Sequence, residues 1–142
     1  MSDVAGQSVT TAARLGLKAG NTVGESGYDD DVDHELRDAI ADLIESDLLD
    51  DDADEVLDAV LLWWRDGDGD LTDALVDAIP LLADDGVIWL LTPKTGRERY
   101  VEPSEIAEAT RTAGLAQTTS VTGGPQWMIA RLARPKSGKV RR

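Results

Sequence analysis

The chain has 142 residues, with 28 Asp and Glu against 14 Lys and Arg, and a net charge of −14. This length suits one domain with a single modest core. The absence of cysteine excludes disulfides, thiol catalysis and thiolate metal sites, and the lone histidine has no partner for a multi-histidine site. No apolar run approaches the roughly 20 residues of a membrane span, and the first residues lack the pattern of a secretory signal. We therefore expect a cytoplasmic protein that does not enter a membrane.

The negative charge is concentrated in the first part of the chain. Residues 1–85 hold 24 acidic and 4 basic side chains, whereas residues 86–142 hold 4 acidic and 10 basic ones. Such asymmetry is typical of an interaction surface or a tail, although the two parts could instead neutralise each other across the fold. Because the acidic part repels phosphates, we expect nucleic-acid contact only through the basic tail.

The first part of the chain predicts a flexible segment, a short strand and a long helix. Residues 1–13 are small and polar and are expected to be flexible. A weak strand follows at residues 22–25. From residue 31 to about residue 46, apolar side chains recur at three- and four-residue steps, which is the spacing of an amphipathic helix. Three aspartates at 29–31 are expected to cap its free N–H groups.

Two apolar strands and a helix come next. Residues 59–64 and 87–92 are continuous apolar runs of strand length, typical of strands covered on both faces. The segment between them predicts a helix from Leu71 to Leu82 that Pro80 bends or shortens, with Asp70 as its cap. Tryptophans fall on these strands and on the last one, and we expect most of them to lie in the core, with one able to serve as an interface anchor.

The last part of the chain predicts a helix and a β-hairpin. A basic loop at 94–100 precedes a helix that begins near Glu102 and ends before Gly114. Residues 117–121 and 127–132 form the hairpin strands. We expect one domain over residues 14–134, followed by a basic tail at 135–142.

Helices that alternate with apolar strands predict an α/β fold. We expect a minimal three-layer, Rossmann-like sandwich, with a mostly parallel sheet and a C-terminal antiparallel β-hairpin. In such sheets ligands bind beyond the carboxyl ends of the strands.

The loops after the first three strands should meet at that edge, and two of them are acidic while the third is basic. We therefore predict that Arg97 or Arg99 lies near an acidic loop. The contact could line a ligand cleft or be an internal charge pairing. The candidate residues of this ligand or partner edge are Tyr28, Asp29, Asp31, Asp66, Asp68, Asp70, Lys94, Arg97 and Arg99.

The acidic loops do not match a known metal motif. The sequence Asp66-Gly67-Asp68-Gly69-Asp70 has the alternating carboxylates of a calcium loop, but Leu71 stands where an EF-hand needs glycine and Asp77 where it needs glutamate. We therefore predict a solvated turn with a helix cap rather than a metal site. His34 is expected on the surface of the first long helix, and no catalytic residue is predicted.

From Ala59 to Leu132 the pattern resembles the second half of a class I methyltransferase fold, with two early strands missing. Thr22 to Gly27, TVGESG, lies where that fold has its first strand and nucleotide loop. Such a loop needs closely spaced glycines, whereas this chain continues with Tyr28 and three aspartates, and the acidic residue that would hold ribose belongs to a missing strand. We therefore expect no cofactor.

A second resemblance covers nearly the whole chain. The blocks GYDDDVD at 27–33, LLWWRD at 61–66, DLTDALVDA at 70–78, IWLLTPKTGR at 88–97 and VEPS at 101–104 resemble an actinobacterial family of small acidic proteins classed as a domain of unknown function. The resemblance implies no catalytic residues, and it implies a regulatory role through protein partners in transcription or stress response. We expect a non-catalytic protein-interaction or regulatory module. The alternative is a small-ligand or nucleotide-binding domain that uses the carboxyl edge of the sheet.

Overall fold

The computed structural model describes residues 10–50, 55–122 and 126–135. Residues 10–14 are helical. A five-stranded sheet and three further α-helices follow. The strands are β1 (Val23–Ser26), β2 (Leu57–Trp63), β3 (Leu82–Pro93), β4 (Ala116–Thr122) and β5 (Trp127–Ala133). The helices are α1 (His34–Ile44), α2 (Leu71–Ala78) and α3 (Pro103–Thr112), and a 3₁₀ turn spans Ile79–Leu81.

The strand order across the sheet is β1-β2-β3-β5-β4. The first three strands are parallel, so that Val60 of β2 pairs with Ile88 of β3. Strand β5 lies antiparallel between β3 and β4, with Ile88 opposite Leu132. This arrangement confirms the predicted mostly parallel sheet with a C-terminal antiparallel hairpin.

Helices cover both faces of the sheet and create two apolar layers. One layer contains α1, residues 12–17 and the side chains of Trp63, Trp89 and Trp127. The other contains α2, α3 and the side chain of Trp64. The adjacent Trp63 and Trp64 lie on opposite faces because side chains alternate along a strand, and all four tryptophans are buried, as predicted.

The helix ends follow local chemistry, with one correction. Asp70 accepts a hydrogen bond from the Asp73 amide and caps α2, as predicted. The 3₁₀ turn that contains Pro80 ends this helix, because proline cannot continue the backbone ladder. The expectation that α1 begins at residue 31 and is capped by residues 29–31 was wrong: α1 begins at His34, and Asp33 caps it by accepting from Leu36 N at 3.1 Å. The carboxylate of Asp31 has a stronger partner, described below.

Helical structure begins before the predicted N-terminal boundary of the domain. Ala12, Leu15 and Leu17 are buried against the α1 layer, so the boundary between residues 13 and 14 falls inside a helical segment. Residues 1–9 and most of the predicted basic tail, residues 136–142, lie outside the described residues. Across the described ranges, no helix has the length and apolar character needed to cross a membrane.

Candidate functional site

Three loops meet at the carboxyl edge of the parallel strands. They are residues 27–33 after β1, residues 64–70 after β2 and residues 94–102 after β3. Parallel strands end at the same edge of a sheet, which is where open α/β sheets bind ligands. We call this surface the carboxyl edge.

Arg65 joins the first two loops. Its side chain is only 4% exposed, and its Nε donates to Asp31 Oδ2 at 2.9 Å while Nη2 donates to Asp31 Oδ1. Nη1 donates to the Gly27 carbonyl at 2.9 Å. This two-bond geometry is the strongest form of arginine–carboxylate pairing. Arg65 therefore ties the β1 loop to the end of β2.

Asp68 extends the pairing to the third loop. Its Oδ2 accepts from the Arg65 amide at 3.0 Å, and its Oδ1 accepts from Arg99 Nη2. Arg99 also donates through Nε to the Asp66 carbonyl at 3.1 Å, and its own carbonyl accepts from Asp66 N at 2.8 Å. The predicted contact between a basic residue of the third loop and an acidic loop is thus present as Asp31–Arg65–Asp68–Arg99, which we call the edge network.

Trp127 supports this network from β5. The guanidinium carbons of Arg65 and Arg97 each lie 5.4 Å from the centroid of its buried ring. Arg97 also donates to the Gln126 carbonyl at 2.9 Å. The positive charges are held against an aromatic face, which favours them electrostatically.

A second buried ion pair lies one residue inside β1. Glu25 is 8% exposed and accepts two bonds from Arg37 of α1 and one from Trp63 Nε1 at 2.8 Å. The guanidinium carbon of Arg37 lies 4.6 Å from the ring centroid of Tyr28, which is half exposed. This cluster fixes α1 to the sheet and sets the position of Tyr28 at the edge.

The ion pairs stabilise the charged forms of Asp31, Arg65 and Arg37. The hydrogen bonds from Arg65 lower the pKa of Asp31 below that of an ordinary aspartate, and the same bonds raise the pKa of Arg65. The bonds with Glu25 raise the pKa of Arg37. Proton transfer from Arg65 to Asp31 is disfavoured at neutral pH, so this pair serves cohesion better than acid–base chemistry.

The other predicted edge residues have local roles. Asp29 accepts from Asp30 N at 2.7 Å, Asp70 caps α2, and Lys94 lines a groove beside α3. His34 is exposed, as predicted, and its Nε2 lies 3.2 Å from the Asp30 carbonyl oxygen. Within the ranges that the structure describes, no three His, Asp or Glu side chains are placed to hold a metal ion.

Sequence reasoning missed Arg65, Glu25, Arg37 and Trp127 as members of the site. The sequence does give one indication of the roles of Arg37 and Arg65, because they are two of only four basic residues in the acidic residues 1–85. A small cavity of about 310 Å³ remains at the edge, lined by Tyr28, Asp29, Trp64, Arg65 and others. The network can therefore hold three loops together and leave a shallow, mixed-charge surface.

Solved structures that include methyltransferases share this fold. The chain matches the pyocyanin biosynthetic protein PhzM with a TM-score of 0.69 at 15% identity, over 92% of this chain and 55% of that one. It matches the calicheamicin-biosynthesis methyltransferase CalO1 with a TM-score of 0.63 at 14% identity, over 92% and 54%. A TehB-like methyltransferase of Corynebacterium glutamicum gives 0.52 at 15%, over 90% and 88%. The chain spans about half the length of the first two proteins, and identities this low show the fold alone.

Relatives by sequence come from mycobacteria. Uncharacterized proteins of Mycobacterium tuberculosis and Mycobacterium bovis are each 55% identical over 126 residues, which cover 89% of this chain and 79% of theirs. The family model described as "Protein of unknown function (DUF3052)" matches residues 12–136. The chain therefore belongs to the DUF3052 family and has a Rossmann-like fold of the methyltransferase type.

Proposed function

We propose that this chain is a non-catalytic protein-interaction or regulatory module built on a methyltransferase-like scaffold. One observation carries the proposal: the edge where such a sheet would bind a cofactor is crossed by the chain's own buried guanidinium. Arg65 is 4% exposed and bonds with both the Asp31 carboxylate and the Gly27 carbonyl. The four charged side chains of the edge network are paired with one another.

The glycine of the β1 loop supports the same conclusion. Gly27 has φ of +79°, and a Cβ built on it would lie 2.2 Å from the Trp63 carbonyl oxygen. The missing side chain therefore lets the loop pass over the end of β2. In a nucleotide-binding loop the same freedom would admit a phosphate or a cofactor. Here the space is filled by protein backbone.

The surface around the edge network suits a protein partner. Tyr28 of the first loop is half exposed, and Asp66 and Asp70 of the second loop are exposed. Tyrosine is enriched at the centres of protein interfaces, and a carboxylate rim favours a basic partner through charge complementarity. The partner class that the family resemblance implies is a protein of the transcription machinery.

A small-ligand function is the second candidate. The cavity of about 310 Å³ at the carboxyl edge is the observation that favours it. Its lining includes aromatic and charged side chains, which could hold a small polar ligand without displacing Arg65.

A thermal-shift screen separates the two functions. A ligand present at 100 times its Kd stabilises the native state by about 2.7 kcal/mol, which raises Tm by several degrees in a domain of this size. We expect changes below about 1 °C with S-adenosylmethionine, ATP, GTP or Ca²⁺. A concentration-dependent rise of several degrees would support the ligand function instead.

The interaction itself is tested with purified RNA polymerase and sigma factors. We expect binding that a charge reversal at the edge, Asp66→Lys, weakens at least about tenfold, because the new lysine would repel a basic partner. The matched control Asp42→Lys changes the same charge on the exposed face of α1 and should keep the affinity within about twofold. Equal weakening by both variants, or no binding by the parent chain, would contradict the proposal.

A further inference from the structure

A groove lies on the α2 face of the sheet and shares Ser26, Leu62 and Ala74 with the cavity at the carboxyl edge. It runs between α2 and the outer strand β1 and encloses about 330 Å³. Leu57, Val60 and Leu62 of β2 form an apolar floor, and Ala78 and Leu81 form one wall. Leu81 is 37% exposed. We call this surface the α2 groove.

The rim of the α2 groove is acidic. Asp50 and Asp77 line it, and both are exposed. No lysine or arginine stands among the described residues that line it. Asp77 belongs to the last turn of α2, which contains no basic residue. The negative end of the helix dipole adds to these carboxylates, so a cation would be stabilised there.

The residue that precedes the basic tail lies at the end of this wall. Arg134, which follows β5, donates from Nη2 to the Ile79 carbonyl at 3.1 Å and from Nη1 to the Ala83 carbonyl at 3.0 Å. Ile79 is the residue after Ala78, which lines the groove. The chain therefore leaves β5 beside the groove with a cation at the carboxyl end of α2.

The segment that follows has matching chemistry and length. Residues 136–142 read KSGKVRR, with four basic side chains and Val140 among them. Seven residues can span up to about 23 Å when extended, whereas neighbouring strands lie only about 4.8 Å apart. A segment of this length that starts after Pro135 is long enough to cross β2 and reach β1.

We propose that residues 136–142 bind the α2 groove of the same chain. The basic side chains face the rim of Asp50 and Asp77, and Val140 covers the apolar surface at Leu81. Because linkage to Pro135 keeps the segment at a high effective concentration, weak individual contacts are sufficient. This inference does not depend on the function proposed for the carboxyl edge.

The test compares the full chain with a chain that ends at Pro135, using ¹H–¹⁵N NMR. Truncation should shift the amide resonances of Asp77, Ala78 and Leu81, which line the α2 groove and not the cavity at the carboxyl edge, and should leave those of Tyr28 and Arg65 in place. A synthetic peptide KSGKVRR, titrated into the truncated chain, should return these resonances toward their full-length positions. At about 0.15 M salt, Asp77→Asn should weaken the peptide about two- to fivefold.

The matched control is Asp42→Asn, which removes the same charge from the exposed surface of α1 on the opposite layer. It should change the peptide affinity by less than about 1.5-fold. Equal weakening by Asp42→Asn and Asp77→Asn would overturn the proposal, because the binding would then follow net charge alone. Unshifted groove resonances after truncation would overturn it as well. So would shifts that depend on protein concentration, because they would place the segment on a second copy.

Discussion

Removal of the Arg65 guanidinium tests whether the edge network holds the three loops together. Arg65→Met keeps an apolar side chain of similar length but removes every side-chain N–H donor of this residue. Loss of one partner from a buried ion pair costs about 3–5 kcal/mol. Here the Asp31 side chain is 42% exposed, so water can solvate the carboxylate that is left behind. We therefore expect the free energy of unfolding to fall by about 2–3 kcal/mol.

The loss is measured by urea unfolding, followed through tryptophan fluorescence. Unfolding entropy is about 2.1 cal/mol/K per residue, or about 0.3 kcal/mol/K for the chain, so Tm should fall by about 7–10 °C. Arg65→Lys keeps the charge but loses the two-bond geometry, and it should lose about half as much. Arg111→Met removes an exposed arginine from the last turn of α3 and should cost less than about 0.5 kcal/mol. A loss for Arg65→Met as small as that of this control would refute the reasoning.

Three further predictions concern the same region. The lowered pKa of Asp31 contributes stability that is fully present above the pKa of an unfolded aspartate, about 3.9, and this stability is lost as pH falls toward the folded pKa. The unfolding free energy, measured from pH 5 to pH 2, should therefore decline less steeply in Asp31→Asn than in the parent chain. Equal slopes would contradict this prediction. Gly27→Ala places a Cβ 2.2 Å from a backbone oxygen and should lower the free energy of unfolding by at least about 3 kcal/mol. Gly96→Ala is the control, because Gly96 has a positive φ but no atom within 4 Å of the added Cβ, and it should lower this free energy by about 1 kcal/mol. Similar losses for the two variants in urea unfolding would contradict the prediction. Trp63→Phe loses a buried hydrogen bond to the Glu25 carboxylate, whereas the indole N–H of Trp89 has no partner among the described residues. Trp63→Phe should therefore be about 1–2 kcal/mol less stable than Trp89→Phe in urea unfolding. The reversed order would contradict the role given to the Trp63 hydrogen bond.

Much of the fold could be predicted from local patterns. Apolar runs identified β2 and β3, and the three- and four-residue apolar spacing identified α1. Each of these signals depends on neighbours within a few positions along the chain. Their alternation sufficed to predict the layered α/β architecture. The exact start of α1 could not be predicted, because Asp33 and three preceding aspartates offer equivalent caps until the fold assigns a partner to Asp31.

The edge network was only partly predictable. Opposite charges on converging loops predicted that Arg97 or Arg99 would lie near an acidic loop, and Arg99 does contact Asp68. The burial of Arg65 was not predictable, because an arginine between a strand and an acidic turn has the pattern of a solvated residue. Its burial depends on Gly27 passing over the end of β2, which is a contact between residues 36 positions apart along the chain.

The central claim is that the buried Arg65 guanidinium closes the carboxyl edge. The most direct test is the ¹H–¹⁵N resonance of the Arg65 Nε–H, recorded with and without S-adenosylmethionine. We predict a signal that exchanges with water much more slowly than that of the exposed Arg111, and that stays unchanged at millimolar S-adenosylmethionine. Exchange as fast as that of Arg111, or loss of the protected signal when the compound is added, would contradict the account.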